Sequence, residues 1–228
     1  MRLLTVDNQK INKSKEYGWM TFGLHLAPYT LSGRNVCPYA SKGCAEACLN
    51  TAGRGYMNSV QEARIRKTKM FYEGKANFLH FLNKDIYAGK RAADRANMKP
   101  CFRLNLTSDI SWEKYGIIQS NPDVQFYDYT KNIKRIDKFL NKKLPKNYHL
   151  TYSRSEDTDI DTIRNIIKHK GNVAICFNDN SNLSKWKGMK VTNGDTHDLR
   201  FIDPHSHIIS LKAKGKATKD QTGFTINL

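Results

Sequence analysis

The chain has 228 residues, of which 39% are hydrophobic and 11% aromatic, so it can bury a core and is not a disordered chain. It carries 38 Lys and Arg against 21 Asp and Glu, a formal net charge of +17 that favours DNA or RNA as a partner. A basic surface without a dedicated ligand is the alternative. Membrane proteins are excluded, because no apolar run is long enough to span a bilayer.

Two further features predict the compartment. Residues 1–7 lack the length and the apolar core of a signal peptide. The chain has five cysteines, an odd number, which is typical of free thiols or metal ligands rather than of disulfides. We therefore expect a protein of the reducing cytoplasm. Because the chain contains no repeat and no linker rich in Pro, Gly or Ser, we expect residues 1–228 to form a single domain.

The N-terminal half is predicted to supply a strand, a cysteine loop and two helices. Residues 18–28 could form a first strand, and residues 58–73 and 77–95 have the patterns of helices. The cysteine loop, residues 35–55, lies between the strand and the helices. It would follow the strand at the sheet edge where parallel α/β folds build their sites.

The cysteine loop is the strongest functional feature of the sequence. Cys44 and Cys48 are four residues apart, so one helical turn would bring both thiols to the same side. Pro38 and Gly43 predict a loop that returns Cys37 to that side. Zinc sites usually show paired Cys-x-x-Cys or Cys/His sets, which this loop lacks. An iron–sulfur cluster held by thiolates fits better, with zinc and no metal as alternatives.

Residues 100–212 are predicted to repeat a strand followed by a helix. Strand patterns occur at residues 101–107, 124–130, 149–153 and 173–178, with two more at 199–202 and 207–212. Helical patterns separate the first four strands, at residues 112–119, 132–142 and 159–168. This alternation predicts βα units and a parallel sheet. Residues from about 212 to 228 are predicted to form a basic C-terminal extension.

Three of these strands alternate polar and apolar residues. Parallel strands are normally apolar on both faces, because helices cover them. A polar face therefore predicts an incompletely closed barrel around a polar ligand, although an antiparallel sheet with one face in water would alternate in the same way. The candidate ligand-binding residues on this face and at its strand ends are Arg103, Asn105, Asp109, Asp128 and Ser153.

Structural roles compete with ligand binding at two of these positions. Asp109 and Glu113 either bind a substrate group or belong to the cap and first turn of a helix. Asp128 is a charge within a strand, so a salt bridge with Arg103 or Lys131 is the alternative to a ligand role.

Other metal-binding residue types have weaker patterns. Cys101 and Cys176 lie in strands and are interpreted as buried, unless the metal site is closed and one of them is its fourth ligand. Three histidines near aspartates, His197, His205 and His207, match no firm metal-binding spacing. Beside the cysteines, three side chains are predicted to surround the metal and tune its potential or bind an anionic partner: Tyr39, Lys42 and Arg54.

Three segments together resemble the phage-encoded gene-product-88 family. They are Cys37-Pro-Tyr-Ala-x3-Cys44-x3-Cys48-Leu49 with Gly53-Arg54-Gly55, the stretch from Arg103 to Glu113, and the stretch from Phe126 to Lys131. The resemblance extends over residues 18–178. A cysteine cluster followed by βα units is in turn similar to radical S-adenosylmethionine (SAM) enzymes.

The second resemblance implies a fold and a cofactor. Radical SAM enzymes hold a 4Fe–4S cluster by three cysteines in a partial (β/α)6 barrel, and SAM binds the fourth iron. It implies a TIM-like partial barrel with a mostly parallel sheet, with Cys37, Cys44 and Cys48 as cluster ligands and SAM as a candidate cofactor. The cysteine spacing departs from the usual Cys-x3-Cys-x2-Cys, and no Gly-Gly-Glu stretch follows the second strand. Cluster binding therefore carries over more directly than SAM cleavage.

These observations lead to three expectations for function. The first is a radical-SAM-like iron–sulfur phage protein that binds or acts on nucleic acid in the cytoplasm of the infected host cell. The second is a non-catalytic iron–sulfur protein that binds nucleic acid or senses redox state. The third is a zinc-stabilised protein that interacts with a host component.

Overall fold

The computed structural model describes residues 2–6 and 12–228. Residues 1–7, which were said above to lack the features of a signal peptide, are described only in part, because Met1 and Asp7 lie outside the described residues. In the described part, the protein has a mixed α/β fold with a ten-stranded, mostly parallel sheet. No helix in this part is long and apolar enough to cross a membrane.

The strands lie in chain order from β1 to β6 across most of the sheet. Their bounds are β1 (Leu4–Thr5), β2 (Trp19–Leu24), β3 (Lys99–Arg103), β4 (Gln125–Thr130), β5 (Tyr148–Ser153), β6 (Val173–Phe177), β7 (Lys185–Trp186), β8 (Met189–Asn193), β9 (Ile208–Lys212) and β10 (Thr225–Ile226). The order in the sheet is β1-β2-β3-β4-β5-β6-β9-β8-β7. All neighbours from β2 to β8 are parallel, while β1 and β7 are antiparallel edge strands.

Strand β10 forms from the segment predicted to be a basic extension. It pairs in parallel with the second half of β6, at Cys176 and Phe177. Because β9 pairs with β6 along its whole length, β10 lies on the other side of β6, beyond the end of β5. The C-terminal segment is therefore part of the sheet.

The predicted α/β class and mostly parallel sheet are confirmed. The predicted barrel is not: the sheet is open, and no strand pairing within residues 2–6 and 12–228 joins β1 to β7.

The helices pack mainly against one face of the sheet. They are α1 (Lys42–Glu46), α2 (Asn58–Glu73), α3 (Lys75–Arg95), α4 (Ile133–Leu140) and α5 (Ile160–Lys168). Helix α3 buries a stripe with helical spacing: Phe78, Leu82, Ile86, Gly89 and Ala93. A Cβ at Gly89 would come within 3.1 Å of Phe102 and 3.2 Å of Phe22, so glycine lets α3 approach the sheet closely.

The opposite face of the sheet is filled by the segment between β8 and β9, residues 194–207. Asp198 of this segment is fully buried and accepts a hydrogen bond of 2.6 Å from Arg103 and one of 3.3 Å from the Tyr127 hydroxyl. The guanidinium of Arg103 also lies over the ring of Tyr129, 4.5 Å from its centroid. The polar strand face predicted to surround a ligand is thus covered here by the chain itself.

Two predicted elements differ from the structure. Residues 199–202 contain a 3-10 helix, Arg200–Ile202, rather than a strand, because Arg200 turns inward to donate to the carbonyls of Gly194 and His197. The helix predicted at 112–119 is a single 3-10 turn, Trp112–Tyr115, which ends at Gly116 with a left-handed φ of 74°.

Candidate functional site

A cavity opens at the carboxyl ends of the parallel strands, where the sequence placed the site. Its volume is about 260 Å³, and it is lined by the ends of β3 to β6 and β9, the cysteine loop and the C-terminal segment. Cys37, Cys44 and Cys48 all line it. Binding sites of open parallel sheets lie at this edge, because the loops that follow the strands converge there.

Local structure directs the three thiols to the same cavity. Cys37 lies in the loop after β2, where its Sγ accepts a 3.4 Å hydrogen bond from the Tyr29 amide. Cys44 lies within α1, and Cys48 follows shortly after the end of this helix. Ser41 caps α1, and its hydroxyl accepts a 3.2 Å hydrogen bond from the Cys44 amide. The returning loop is present, but α1 ends at Glu46, so the predicted helical turn from Cys44 to Cys48 is only partly formed.

Burial disfavours ionisation of the three thiols. It raises the pKa of Cys37 to about 12 and also raises the pKa values of Cys44 and Cys48. Cys48 and Cys44 also raise the pKa of Cys37, and Cys44 raises that of Cys48, while Lys131 opposes the shift at Cys44. The thiols are therefore protonated at neutral pH, and any metal that binds here must displace their protons.

Lys131 is a cavity residue that sequence reasoning did not assign to the site. Its ammonium donates to the hydroxyl of Ser153 over 2.8 Å and to the carbonyls of Ser153 and Arg154 over 3.3 Å each. It also lies 5.1 Å from the centroid of the Phe224 ring. Its position directly after β4 was the available clue, because residues that follow parallel strands lie at the site edge.

Glu156 was also missed, and it fixes the cysteine helix to the sheet. Its carboxylate accepts hydrogen bonds of 2.6 Å from the Ser41 hydroxyl and 2.6 Å from the Gly43 amide. Burial acts to raise the pKa of Glu156, but these two hydrogen bonds outweigh it and lower the pKa. An ionised Glu156 thus holds the first turn of α1 beside the end of β5.

Four of the five predicted ligand-binding residues line the cavity: Arg103, Asn105, Asp109 and Ser153. Most of them already have partners. Arg103 pairs with Asp198, and Asn105 uses its side-chain oxygen to bind the Ile110 amide and the Trp112 indole, over 3.0 Å each. Asn105 thereby folds the loop after β3, which is why the strand ends before the predicted residue 107.

Asp128 does not line the cavity. It lies on the helix-covered face, where it accepts hydrogen bonds from the Asn105 amide over 2.7 Å and from the Tyr148 hydroxyl over 2.8 Å. Asp128 is in register with apolar Leu150 of β5 and lies on the same face of the sheet as this residue. The polar residues of β4 and β5 therefore do not share one face, contrary to the prediction. Neither Arg103 nor Lys131 forms a salt bridge with Asp128 in the described part of the chain.

Asp109 has mainly structural partners. It lines the cavity, but its carboxylate bonds to Arg135 over 2.9 Å and accepts from the Lys131 amide over 2.9 Å. Glu113 binds the same guanidinium through bonds of 3.0 and 2.9 Å. Both acidic residues therefore hold Arg135. Asp109 does not cap the following 3-10 helix, but Glu113 lies in the first turn of this helix, as one interpretation predicted.

The remaining cysteines occupy different environments. Cys176 lines the cavity, and its Sγ lies 3.7 Å from the Thr225 hydroxyl. Cys101 is fully buried away from the cavity, 3.1 Å from the hydroxyl of Thr21. Of the two residues considered as a fourth ligand, the structure places only Cys176 at the cavity.

The other residues predicted around the metal lie outside the cavity wall. Tyr39, Lys42 and Arg54 are exposed on the cysteine loop. His197 lies 3.8 Å from Asp203, and His207 bonds to Thr192 over 2.7 Å. In the described part of the chain, no three or more His, Cys, Asp or Glu side chains are arranged closely enough to hold a single metal ion.

Fold and site together define a mostly parallel α/β protein with a thiol-lined cavity at the carboxyl edge of its sheet. The chain belongs to the Gene product 88 family of phage proteins, whose family model matches residues 2–228. The predicted family is thereby confirmed. No curated protein and no solved structure matches the chain. The resemblance to radical SAM enzymes has no support from these comparisons.

Proposed function

We propose that this protein binds a 4Fe–4S cluster through Cys37, Cys44 and Cys48. The observation that carries the proposal is that three thiols, from a loop and a short helix, line one cavity at the carboxyl edge of a parallel sheet. Thiolates are the usual ligands of iron–sulfur clusters, so the donor set fits. Such a cluster supplies one-electron chemistry when bound.

The surrounding residues have roles that follow from their contacts. Glu156 fixes α1 and with it the position of Cys44. Lys131 places a positive charge beside Cys44, which favours its thiolate form and so eases proton loss on metal binding. Partial burial of the thiols limits the access of water to the bound group.

The fourth coordination position separates two versions of the proposal. In the radical-SAM-like version, three cysteines leave one iron open to SAM, and the open sheet acts as a partial barrel around it. The polar groups available to hold SAM are those of Lys131, Ser153 and the loop after β3. In the closed version, Cys176 is the fourth ligand and the cluster is structural or redox-sensing.

The first experiment is anaerobic purification of the full chain with iron and sulfide analysis. We expect a brown protein with about four irons per chain, and loss of iron in each of Cys37→Ala, Cys44→Ala and Cys48→Ala. Cys101→Ala is the matched control, because this thiol is buried outside the cavity. A colourless chain that binds zinc through the same cysteines would replace this proposal with the zinc-stabilised interaction protein.

The two versions are distinguished by one variant and one product. An open site keeps its iron in Cys176→Ala and forms 5′-deoxyadenosine from SAM and a reductant. A closed site loses iron in Cys176→Ala and leaves SAM intact.

A second candidate function is nucleic-acid binding in the host-cell cytoplasm. It rests on the net charge of +17, because a surface rich in Lys and Arg gains free energy by releasing counterions from a polyanion. Binding of this kind weakens steeply with salt, so its salt dependence tests it independently of the cluster.

A further inference from the structure

Exposed apolar side chains concentrate in the cysteine loop and the residues beside it. Of the twelve exposed large hydrophobic residues in the described part of the chain, six lie between residues 29 and 57. We call these six the rim: Tyr29, Leu31, Tyr39, Leu49, Tyr56 and Met57. Exposed apolar residues that cluster in this way are typical of binding surfaces.

The rim is joined to the mouth of the cavity. Leu49 is 54% exposed and also lines the cavity. The amide of Tyr29 bonds to Cys37, and Tyr39 directly precedes Ala40, another lining residue. Tyr56, 67% exposed, belongs to the 3-10 helix that follows the cysteines. Leu49 therefore lies at the entrance to the site, and Tyr29 and Tyr39 are each next in the chain to a lining residue, Pro28 and Ala40.

Cationic side chains lie at the same entrance. Lys212 and Lys214 line the cavity while their side chains remain 54% and 57% exposed. Lys212 pairs with Asp179 over 3.6 Å and Lys214 with Asp195 over 3.2 Å, and both ion pairs are open to solvent on at least one side. Pairs of this kind contribute little free energy, so a phosphate can replace the carboxylate.

We propose that the rim and these two lysines bind single-stranded nucleic acid. Aromatic side chains stack on the faces of unpaired bases, and lysines bind the phosphates between them. The faces of the bases in a duplex are already stacked, so only a single strand can use the rim. The net charge of +17 favours this occupant over a protein partner. The inference deepens the second candidate function, nucleic-acid binding, and rests on the cluster proposal only in placing the bound strand beside a cofactor.

Fluorescence anisotropy with the anaerobically purified full chain tests the proposal. The probes are single-stranded DNA, single-stranded RNA and a DNA duplex of the same sequence, each of about 12 nucleotides. We expect tighter binding of at least one single strand than of the duplex. Tyr39→Ala and Tyr56→Ala should each weaken that binding by roughly tenfold. Tyr87→Ala is the control, because Tyr87 is 61% exposed on α3, outside the rim.

The salt dependence of binding tests the contribution of Lys212 and Lys214 separately from that of the rim. Lys214→Ala should reduce the slope of log affinity against log salt by about 1, whereas Lys84→Ala on α3 should leave it unchanged. Equal binding of the duplex, or rim variants that bind like the wild type, would overturn the proposal. A rim variant that instead dissociates a dimer would show that the rim is a self-association surface and would also overturn it.

Iron content measured on the same samples keeps the two proposals apart. A brown protein that binds no single strand overturns the rim proposal and leaves the cluster intact. An iron-free protein whose single-strand binding depends on Tyr39 and Tyr56 supports the rim proposal while the cluster proposal fails.

Discussion

Buried polar side chains beneath the sheet hold one side of the candidate site in place. Arg135 is almost fully buried and binds Asp109 and Glu113 through hydrogen bonds of 2.9 to 3.0 Å. The same guanidinium donates to the Tyr148 hydroxyl, which donates in turn to Asp128. Because a buried charge is costly without partners, this network fixes the loop that carries Asp109 to the cavity.

At the residue scale, we predict that Asp128 makes the free energy of unfolding depend on pH. Burial raises the pKa of Asp128 to about 7, against the hydrogen bonds from Asn105 and Tyr148 that lower it. The unfolded chain loses this proton near pH 4, so its contribution to stability is full below about pH 4 and is lost as the pH rises to about 7. Asp128→Asn should remove this loss, which is about 1.4 kcal/mol per pH unit in that window.

Urea unfolding between pH 4.5 and pH 8 measures this effect for Asp128→Asn. The control is Asp137→Asn, an exposed carboxyl on α4. Identical pH slopes for the wild type and Asp128→Asn would contradict the prediction.

At the element scale, the stability of the short helix α1 depends on its packing against the C-terminal segment. Five residues are too few for a helix to be stable alone. Its first turn is held by Glu156 and lies against Thr222 and Phe224. These residues are held in turn by Arg154, which donates to the carbonyls of Gly223 and Phe224 over 2.7 and 3.0 Å. The C-terminal segment therefore supports the cysteines as well as the sheet.

Gly43→Ala tests how closely α1 must pack against the C-terminal segment. A Cβ at position 43 would lie 2.8 Å from Cβ of Phe224 and 2.9 Å from Oε1 of Glu156. We expect a loss of about 1–3 kcal/mol in the free energy of unfolding and a lower iron content, since α1 must shift. In the control Gly74→Ala, the nearest atom to the new Cβ is 3.6 Å away, which is ordinary contact. Full stability and iron content in Gly43→Ala would show that α1 tolerates displacement.

At the scale of the whole molecule, the segment 194–207 determines what the second face of the sheet can do. It buries Asp198 against Arg103, and Arg200 lies 3.1 Å from Asp203. Both ion pairs are almost fully buried, so the segment is fixed by charge as well as by packing. The segment thereby covers this face of the sheet, while the cysteine cavity opens at the carboxyl edge.

Asp198→Ala tests the importance of this segment. Removal of the carboxylate leaves the Arg103 charge buried and unpaired, so we expect a loss of about 3–5 kcal/mol in urea unfolding. Replacing both partners, in Arg103→Met with Asp198→Leu, should cost less, because no charge is then left buried. Asp161→Ala is the control: its partner Arg164 is 3.4 Å away at the surface, and its loss should cost at most about 1 kcal/mol.

Local patterns were sufficient for much of the fold. The helix at residues 58–73 and the strands at 124–130, 149–153 and 173–178 have strong periodicity, and the structure contains them with small shifts in their ends. Strands β1, β7, β8 and β10 were not predicted. Three of them, β1, β7 and β10, have two residues each and form only through pairing with another strand. The apolar pattern at residues 199–202 predicted a strand, but the structure has the 3-10 helix Arg200–Ile202, because Arg200 donates a hydrogen bond to the carbonyl of Gly194.

The sequence by itself determined the family, the parallel α/β class and the grouping of Cys37, Cys44 and Cys48, because these depend on local spacing and on strand–helix alternation. Only the tertiary structure decided which polar residues share the cavity. A one-residue difference in strand register moves a side chain to the other face, which is why Asp128 lies away from Ser153. Lys131, Glu156 and Cys176 reach the cysteines through contacts between distant parts of the chain, and no spacing in the sequence records those contacts.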